Sequence, residues 1–290
     1  MNMKKSLIVF LLVLLPFLKL EAVAGDSYEI TGYKMPGIQV IPIKDTKSNR
    51  QYELLVKLPE NYAENKDKKY PVIYFTDAVW HIELLSSITF FMMEDVILVG
   101  VSWQKDIGED LIKEEGAHVS RYRDYSFKKS SNAERQAKYE FGQASNHLAF
   151  IRNDVFKYVE TNYRTEPDNR TYFGFSMGGL FGAYALLTQP DSFKNYLLGS
   201  PSLWQLSALE SKADANVKNM NANVFVSYGS LEEKLRPHIE DFVRLMKKRN
   251  DKSLKLKQVV IESAGHSDSS PMMSVRSVKW LSSLQPKGDK

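Results

Sequence analysis

The feature that most restricts the folds open to this chain is a succession of short apolar runs with no wet face. YPVIYFT (70–76), VILVGVSW (96–103), RTYFGF (170–175), NYLLGS (195–200) and NVFVSYG (223–229) are apolar on both alternating sets of positions, and a lysine-rich run, LKLKQVVIE (254–262), comes after them. A strand in a sheet with one solvated side alternates between apolar and polar residues. Strands that do not alternate belong to a parallel sheet covered by helices on both faces. Two earlier runs, QVIPI (39–43) and YELLVKL (52–58), are read as antiparallel strands that open the sheet. Between the runs lie stretches with apolar residues at helical spacing: HLAFIRNDVFKYVETNY (147–163), MGGLFGAYALLTQ (177–189), PHIEDFVRLMKKRN (237–250) and SPMMSVRSVKWLSSL (270–284). The third carries Pro237 near its start and basic residues in its last turn, as helix termini favour. Strand–helix alternation predicts an α/β fold in three layers, a mostly parallel sheet between two layers of helices. Residues 104–146 are polar, charged and irregular, too long for a plain connection, and are read as a functional loop or a small cap.

One junction in this pattern carries chemistry. Gly174-Phe175-Ser176-Met177-Gly178 joins the run 170–175 to the helical stretch 177–189. A serine in a G-x-S-x-G turn between strand and helix sits in a strained backbone conformation that holds its hydroxyl clear of the sheet edge. Side chains two residues to either side would collide, so glycine belongs at 174 and 178. The helix that starts at Met177 then points its unpaired N–H groups at the place where an oxyanion would form.

A serine hydroxyl near neutral pH needs a base. Of the histidines at 81, 118, 147, 238 and 266, His266 alone stands in a loop after the last strand and before the final helix, in ESAGHSDSSP. The imidazole in turn needs an acid, expected after the preceding strand, where NVFVSYG-SLEEK supplies Glu232 and Glu233. Glu232 is favoured because the loop has just left the sheet there, and Glu233 is the alternative, unless it opens the next helix. The order Ser176, Glu232, His266 is that of a strand–turn–helix hydrolase. The oxyanion donors are then the N–H of Met177 and one from the loop after YPVIYFT, Ala78 or Val79.

Composition narrows the remaining classes. The 290 residues contain no cysteine, which excludes zinc-thiolate sites, thiol nucleophiles, iron–sulfur clusters and disulfides. The histidines are scattered, with no HExxH, and no metal or cofactor is expected. A formal net charge of +4 is too small to make nucleic acid the expected partner. Lys4 and Lys5, the apolar run SLIVFLLVLLPFL (6–18) and Ala22-Val23-Ala24 have the form of a secretory signal cleaved after Ala24, with an uncleaved anchor as the other reading. The remainder of the chain, 25–290, is expected to be one domain, periplasmic or secreted, with no stable membrane insertion once the signal is removed.

Together YPVIYFTDA, RYRDYSF (121–127), the stretch from 146 to 193 around Ser176, GSPSLW (199–204), GSLEE and AGH resemble the α/β-hydrolase family described as "putative esterase". The resemblance spans roughly 38 to 285 and is closest to exported enzymes that open enterobactin-type trilactones. It implies an α/β-hydrolase sandwich and a serine esterase working through an acyl-enzyme. Its partner would be a small-molecule ester, with an iron-catecholate siderophore the leading substrate. A feruloyl or carbohydrate-type esterase, an acyl transferase acting on envelope or plant-wall acyl groups, and a non-catalytic binding module are the alternatives. It further implies that Arg121 or Arg123 holds anionic parts of the substrate, unless Arg123 merely pairs with Asp124, and that Trp204 either walls the acyl pocket or packs. Where the family commonly has Asp-Gly, this chain has Asp77-Ala78.

Overall fold

The computed structural model of the chain describes residues 35–213 and 219–285, all within the unit Met35–Lys290. The expected signal, 1–24, lies outside the described residues. The strands β1 (Ile38–Lys44), β2 (Gln51–Lys57), β3 (Tyr70–Phe75), β4 (Ile97–Val101), β5 (Thr165–Phe175), β6 (Asn195–Gly199), β7 (Asn223–Gly229) and β8 (Lys255–Ile261) form one sheet in the order β1-β2-β4-β3-β5-β6-β7-β8. β2 pairs antiparallel with both β1 and β4, and every other neighbouring pair is parallel.

The strands without a wet face are the central ones. Every residue of β3, β4 and β6 is buried, and in β7 every residue after Asn223. The lysine-rich β8 is an edge, with Lys255 and Lys257 exposed, where charge discourages pairing with another chain. Period-two alternation sends the central side chains into two cores. Ile73, Phe75, Phe173, Leu197 and Phe225 pack on one face, against Ile82 and Leu85 of α1 (Ala78–Met92) and, late in the chain, Met273, Val278 and Leu281 of the final helix. Tyr74, Tyr172, Leu198 and Val226 pack on the other, against Phe150, Phe156, Phe181 and Phe242. This is the mostly parallel three-layer α/β sandwich expected from the strand pattern, with the arrangement that the α/β-hydrolase resemblance implies.

The sequence pattern names no helix between β3 and β4, yet α1 fills that connection. Its run AVWHIELLSSITFFM is apolar around most of its circumference, so it lacks the polar stripe that would have shown a 3.6-residue period. Ala78, Ile82, Leu85 and Ile88 face the core while Val79, Trp80 and Phe91 stand in solvent. Residues 104–146 are less irregular than they read, and hold α2 (Glu109–Glu115), α3 (Arg121–Asp124) and α4 (Ala133–Tyr139). The helix expected over 147–163 is interrupted. It runs as α5 (Ala144–Phe150), a π turn (Ile151–Val155) and α6 (Phe156–Asn162). Downstream come α7 (Met177–Thr188), α8 (Leu206–Glu210), α9 (Arg236–Lys248) and α10 (His266–Leu284). Among the described residues no helix is long and apolar enough to cross a membrane.

Candidate active site

Parallel pairing brings the carboxyl ends of five strands to one edge of the sheet. Phe75 lies beside Phe173, Phe175 beside Gly199, Gly199 beside Ser227, and Gly229 beside Ile261. The segments that leave these ends carry Asp77 and Ala78, Ser176, Ser200 to Ser202, Glu232 and His266. An open α/β sheet offers its binding crevice at this edge.

Ser176 has φ 56° and ψ −113°, a conformation that L-residues adopt only under strain, on the order of 1–3 kcal/mol. Neighbouring backbone holds it there. Its N–H donates to Gly199 C=O (2.9 Å), and its own C=O accepts from Ser202 N–H (3.1 Å). The flanking glycines are required by close approach. A Cβ on Gly174 would overlap the Gly178 carbonyl, and one on Gly178 would stand 2.6 Å from Thr76 Oγ1. Tyr172 braces the turn from beneath, donating its hydroxyl to Gly178 C=O (2.7 Å) while pairing with Thr76 Oγ1 (3.1 Å).

The structure brings together the three side chains proposed from the sequence. His266 Nε2 lies 2.9 Å from Ser176 Oγ, and His266 Nδ1 lies 2.7 Å from Glu232 Oε2. His266 is not in a loop ahead of the final helix, as expected, but is the first residue of α10. Gly265 precedes it, with its N–H held by Asp268 Oδ2 (3.2 Å). The side chain of Glu232 is almost wholly buried, whereas Glu233 is exposed, and neither opens α9, which begins at Arg236. Burial pushes the Glu232 carboxyl up, but hydrogen bonds from His266, Ser200 Oγ (2.6 Å) and Gly229 N–H (2.7 Å) outweigh it and hold the group below the usual carboxylate range. An ionised Glu232 fixes the tautomer. Nδ1 carries the proton, and Nε2 is left to accept from Ser176.

On the opposite side of Ser176, Ala78 is the first residue of α1 and fully buried. The left-handed residue at this turn is Asp77 (φ 55°, ψ 44°), a type that tolerates the conformation, so position 78 has no need of glycine. Instead Gly100, on the adjoining strand, leaves room for the Ala78 methyl: a Cβ at 100 would sit 2.7 Å from it. Because a Cβ on Gly178 would also lie 3.3 Å from Asp77 Oδ2, the first turns of α1 and α7 adjoin, and both present helix N-termini at the same edge.

Two of the three residues expected to bind substrate are paired within the protein. Arg121 is spent on Asp77, with Nε 2.7 Å from Oδ1 and Nη2 3.1 Å from Oδ2, and it stacks on Trp80 (4.8 Å). The same carboxylate accepts from Trp103 Nε1 (2.7 Å) and the Tyr125 hydroxyl (3.3 Å). Arg123 is buried and bonds Asp124 (2.8 and 3.1 Å) and the Tyr52 hydroxyl (3.3 Å), the alternative allowed for it. Both guanidiniums are drawn inward because buried carboxylates of the same segment or strand end require a cation. Trp204 does stand at the site. It is half exposed, packs edge-on to His238, and lines two clefts that both touch Ser202. One, of about 540 Å³, includes Leu231, Glu232 and His266. The other, of about 500 Å³, includes Met177, Tyr122, Phe127, Phe141 and three cations, Lys128, Lys129 and Arg135. Sequence reasoning missed Ser200 and Ser202, although both lie in GSPSLW, and it missed the basic cleft, whose residues fall in the segment that reads only as irregular. Among the described residues no group of three or more His, Asp or Glu is placed to hold a metal ion.

Comparison with known proteins gives consistent results. The sequence model of the family described as "Putative esterase" matches residues 46–272. The ferri-bacillibactin esterase BesA of Bacillus subtilis is 26% identical over 278 residues, covering 88% of this chain and 92% of that protein. Among solved structures, the BES protein from Bacillus cereus superposes with a TM-score of 0.74 at 22% identity, covering 87% of this chain and 98% of that one. The siderophore hydrolase EstA from Aspergillus nidulans does so with a TM-score of 0.70 at 18% identity, covering 89% and 100%. At these identities the structural matches establish a shared fold.

Proposed function

The chain belongs to this esterase family and is a carboxylic ester hydrolase, and we propose that it works as a serine esterase with Ser176 as nucleophile, His266 as base and Glu232 as the acid behind it. The observation that carries the proposal is the unbroken relay from Ser176 Oγ through the imidazole to a buried carboxylate, at 2.9 and 2.7 Å. As Ser176 Oγ bonds to the ester carbonyl carbon, its proton passes to His266 Nε2 and the carbonyl π electrons move onto oxygen. The N–H groups of Met177 and Ala78 stabilise that oxyanion, and Glu232 stabilises the imidazolium. Collapse expels the alcohol, which takes the proton from Nε2 and leaves an acyl group on Ser176. Water, deprotonated by His266, then releases the acid. A fluorophosphonate probe is expected to label the protein, and labelling and ester turnover are expected to vanish in Ser176→Ala. Labelling that persists in that variant overturns the assignment.

Within that chemistry the favoured substrate is a trilactone siderophore of the catecholate type. The name of the Bacillus subtilis relative supports this class, and so does the cleft beside Met177, where three cations lie among aromatic rings. An iron(III) tris-catecholate is a trianion with aromatic faces, which such a surface attracts. Turnover of cyclic and linear tris-catecholates, iron-free and iron-loaded, is expected to exceed that of small nitrophenyl esters. Turnover of the small esters alone, or of feruloyl esters in preference, overturns the substrate. The basic start, apolar run and Ala22-Val23-Ala24 support export, which N-terminal sequencing of the secreted protein tests by finding Gly25 first.

A further inference from the structure

A second hydroxyl stands at the reacting oxygen. Ser202 Oγ lies 3.2 Å from Ser176 Oγ. It is held there by backbone on both sides: Ser202 N–H donates to Ser176 C=O (3.1 Å), and Pro201 lies so close to α7 that a Cβ on Gly179 would come within 2.9 Å of its Cα. Two residues earlier, the Ser200 hydroxyl donates to Glu232 Oε1 (2.6 Å), so one tripeptide touches both ends of the relay.

The direction of the bond between the two serines follows from the proton inventory. Glu232 is ionised, so His266 Nδ1 donates to it and Nε2 accepts the Ser176 proton. Ser176 Oγ has no second proton to give. The Ser202 hydroxyl is therefore the donor and Ser176 Oγ the acceptor.

A donor aimed at this oxygen acts unequally on the two halves of the reaction. Before acylation, Ser176 Oγ is a hydroxyl oxygen, already a good acceptor, and the bond from Ser202 is present in the ground state. In the acyl-enzyme the same atom is the alkoxy oxygen of an ester, a poor acceptor. When the deacylation intermediate collapses, the acyl carbon–Oγ bond breaks, its electron pair goes to Oγ, and the proton on His266 Nε2 moves to Oγ. Negative charge develops on Oγ as the bond to Ser202 strengthens. Only an interaction stronger in the transition state than in the ground state accelerates a step, and here the difference is greater for deacylation.

We propose that Ser202 is a further catalytic residue, whose hydroxyl donates to Ser176 Oγ as the departing alkoxide and speeds release of the acyl group more than its capture. The proposal rests on the acyl-enzyme reading above. It is tested by stopped-flow hydrolysis of a p-nitrophenyl ester, normalised by active-site titration. Ser202→Ala is expected to slow deacylation roughly tenfold and acylation no more than about threefold, the scale of one hydrogen bond. The burst of nitrophenolate then approaches one equivalent, kcat falls more than kcat/KM, and the melting temperature stays put. Ser202→Thr, which keeps a hydroxyl, is expected to restore deacylation. Equal slowing of both steps, no change in either, or failure of threonine to restore what alanine lost overturns the role of Ser202. The two readings fail separately: a burst that survives in Ser176→Ala overturns the acyl-enzyme on Ser176 itself, whereas a burst lost there alongside an unaltered Ser202→Ala removes only the inference.

Discussion

Two carboxylates flank β5, the strand that leads into Ser176, at the same edge of the sheet, and they have opposite kinds of partner. Asp77 follows β3 and Glu232 follows β7, and both are buried. Asp77 is closed in by the Arg121 guanidinium, the Trp103 indole and the Tyr125 hydroxyl, whose pKa burial pushes well above its usual value. Glu232 has three neutral donors on one oxygen, the Ser200 and Ser269 hydroxyls and Gly229 N–H, and leaves its other oxygen to an imidazole whose side chain is 45% exposed. A carboxylate paired with a permanent cation cannot help to move a proton and can only hold backbone in place. One paired with a histidine stabilises a charge that comes and goes. The same edge is thus divided into a brace beneath Ala78 and a relay beneath Ser176.

The largest effect expected from this division is on turnover. Glu232→Ala should lower kcat by about 10³–10⁴-fold, with the melting temperature little changed, because the imidazole loses its tautomer and its counter-charge. Steady-state kinetics beside a thermal melt measure both, and a loss of stability with activity retained would merge the two carboxylates into one class. Next comes the brace. Asp77→Ala leaves Arg121, whose side chain is only 13% exposed, without its carboxylate and should destabilise the fold by about 3–5 kcal/mol, read from urea melts. Adding Arg121→Met should recover a large part of that loss, since the uncompensated charge is then gone.

The contrast repeats in two histidines, and pH sharpens it. His266 has a partner on each ring nitrogen, whereas His147 lies buried among Tyr52, Tyr125, Phe150 and Phe181 with neither nitrogen bonded. Burial lowers the proton affinity of His147, as it does that of His81 against Phe173. Each is therefore neutral in the fold but takes a proton below about pH 6.5 when unfolded. Their contribution to stability is complete above that pH and is lost as pH falls below it, by at most about 1.4 kcal/mol per pH unit for each ring. His147→Phe should flatten the fall between pH 6.5 and 5 in urea melts while sparing turnover at pH 7.5. An unaltered slope would mean that water reaches the ring. The smallest effect belongs to Ser200→Ala. It removes one of the donors that hold Glu232 and should lower kcat several-fold, against the thousandfold or more for loss of the carboxylate itself.

Residues alone settled the sheet, its two helical layers and the serine turn, because each depends on chemistry within a few positions. A strand with no polar face has to be covered, and the glycines at 174 and 178 answer to sterics that act across one turn. The chain order Ser176, Glu232, His266 came from which loops leave neighbouring strand ends. Tertiary structure decided what depends on direction in space. Glu232 rather than Glu233 turns inward because the chain between β7 and α9 takes a path set by packing. His266 sits on a helix rather than in a loop because α10 starts four residues earlier than its apolar period shows. The partner of Arg121 is 44 residues away, and the two meet because a buried carboxylate draws the cation within reach. Ser202 comes to Ser176 only because β5 and β6 pair in register. Local sequence specifies conformation and burial, whereas the meeting of distant side chains is specified by the packing of everything between them.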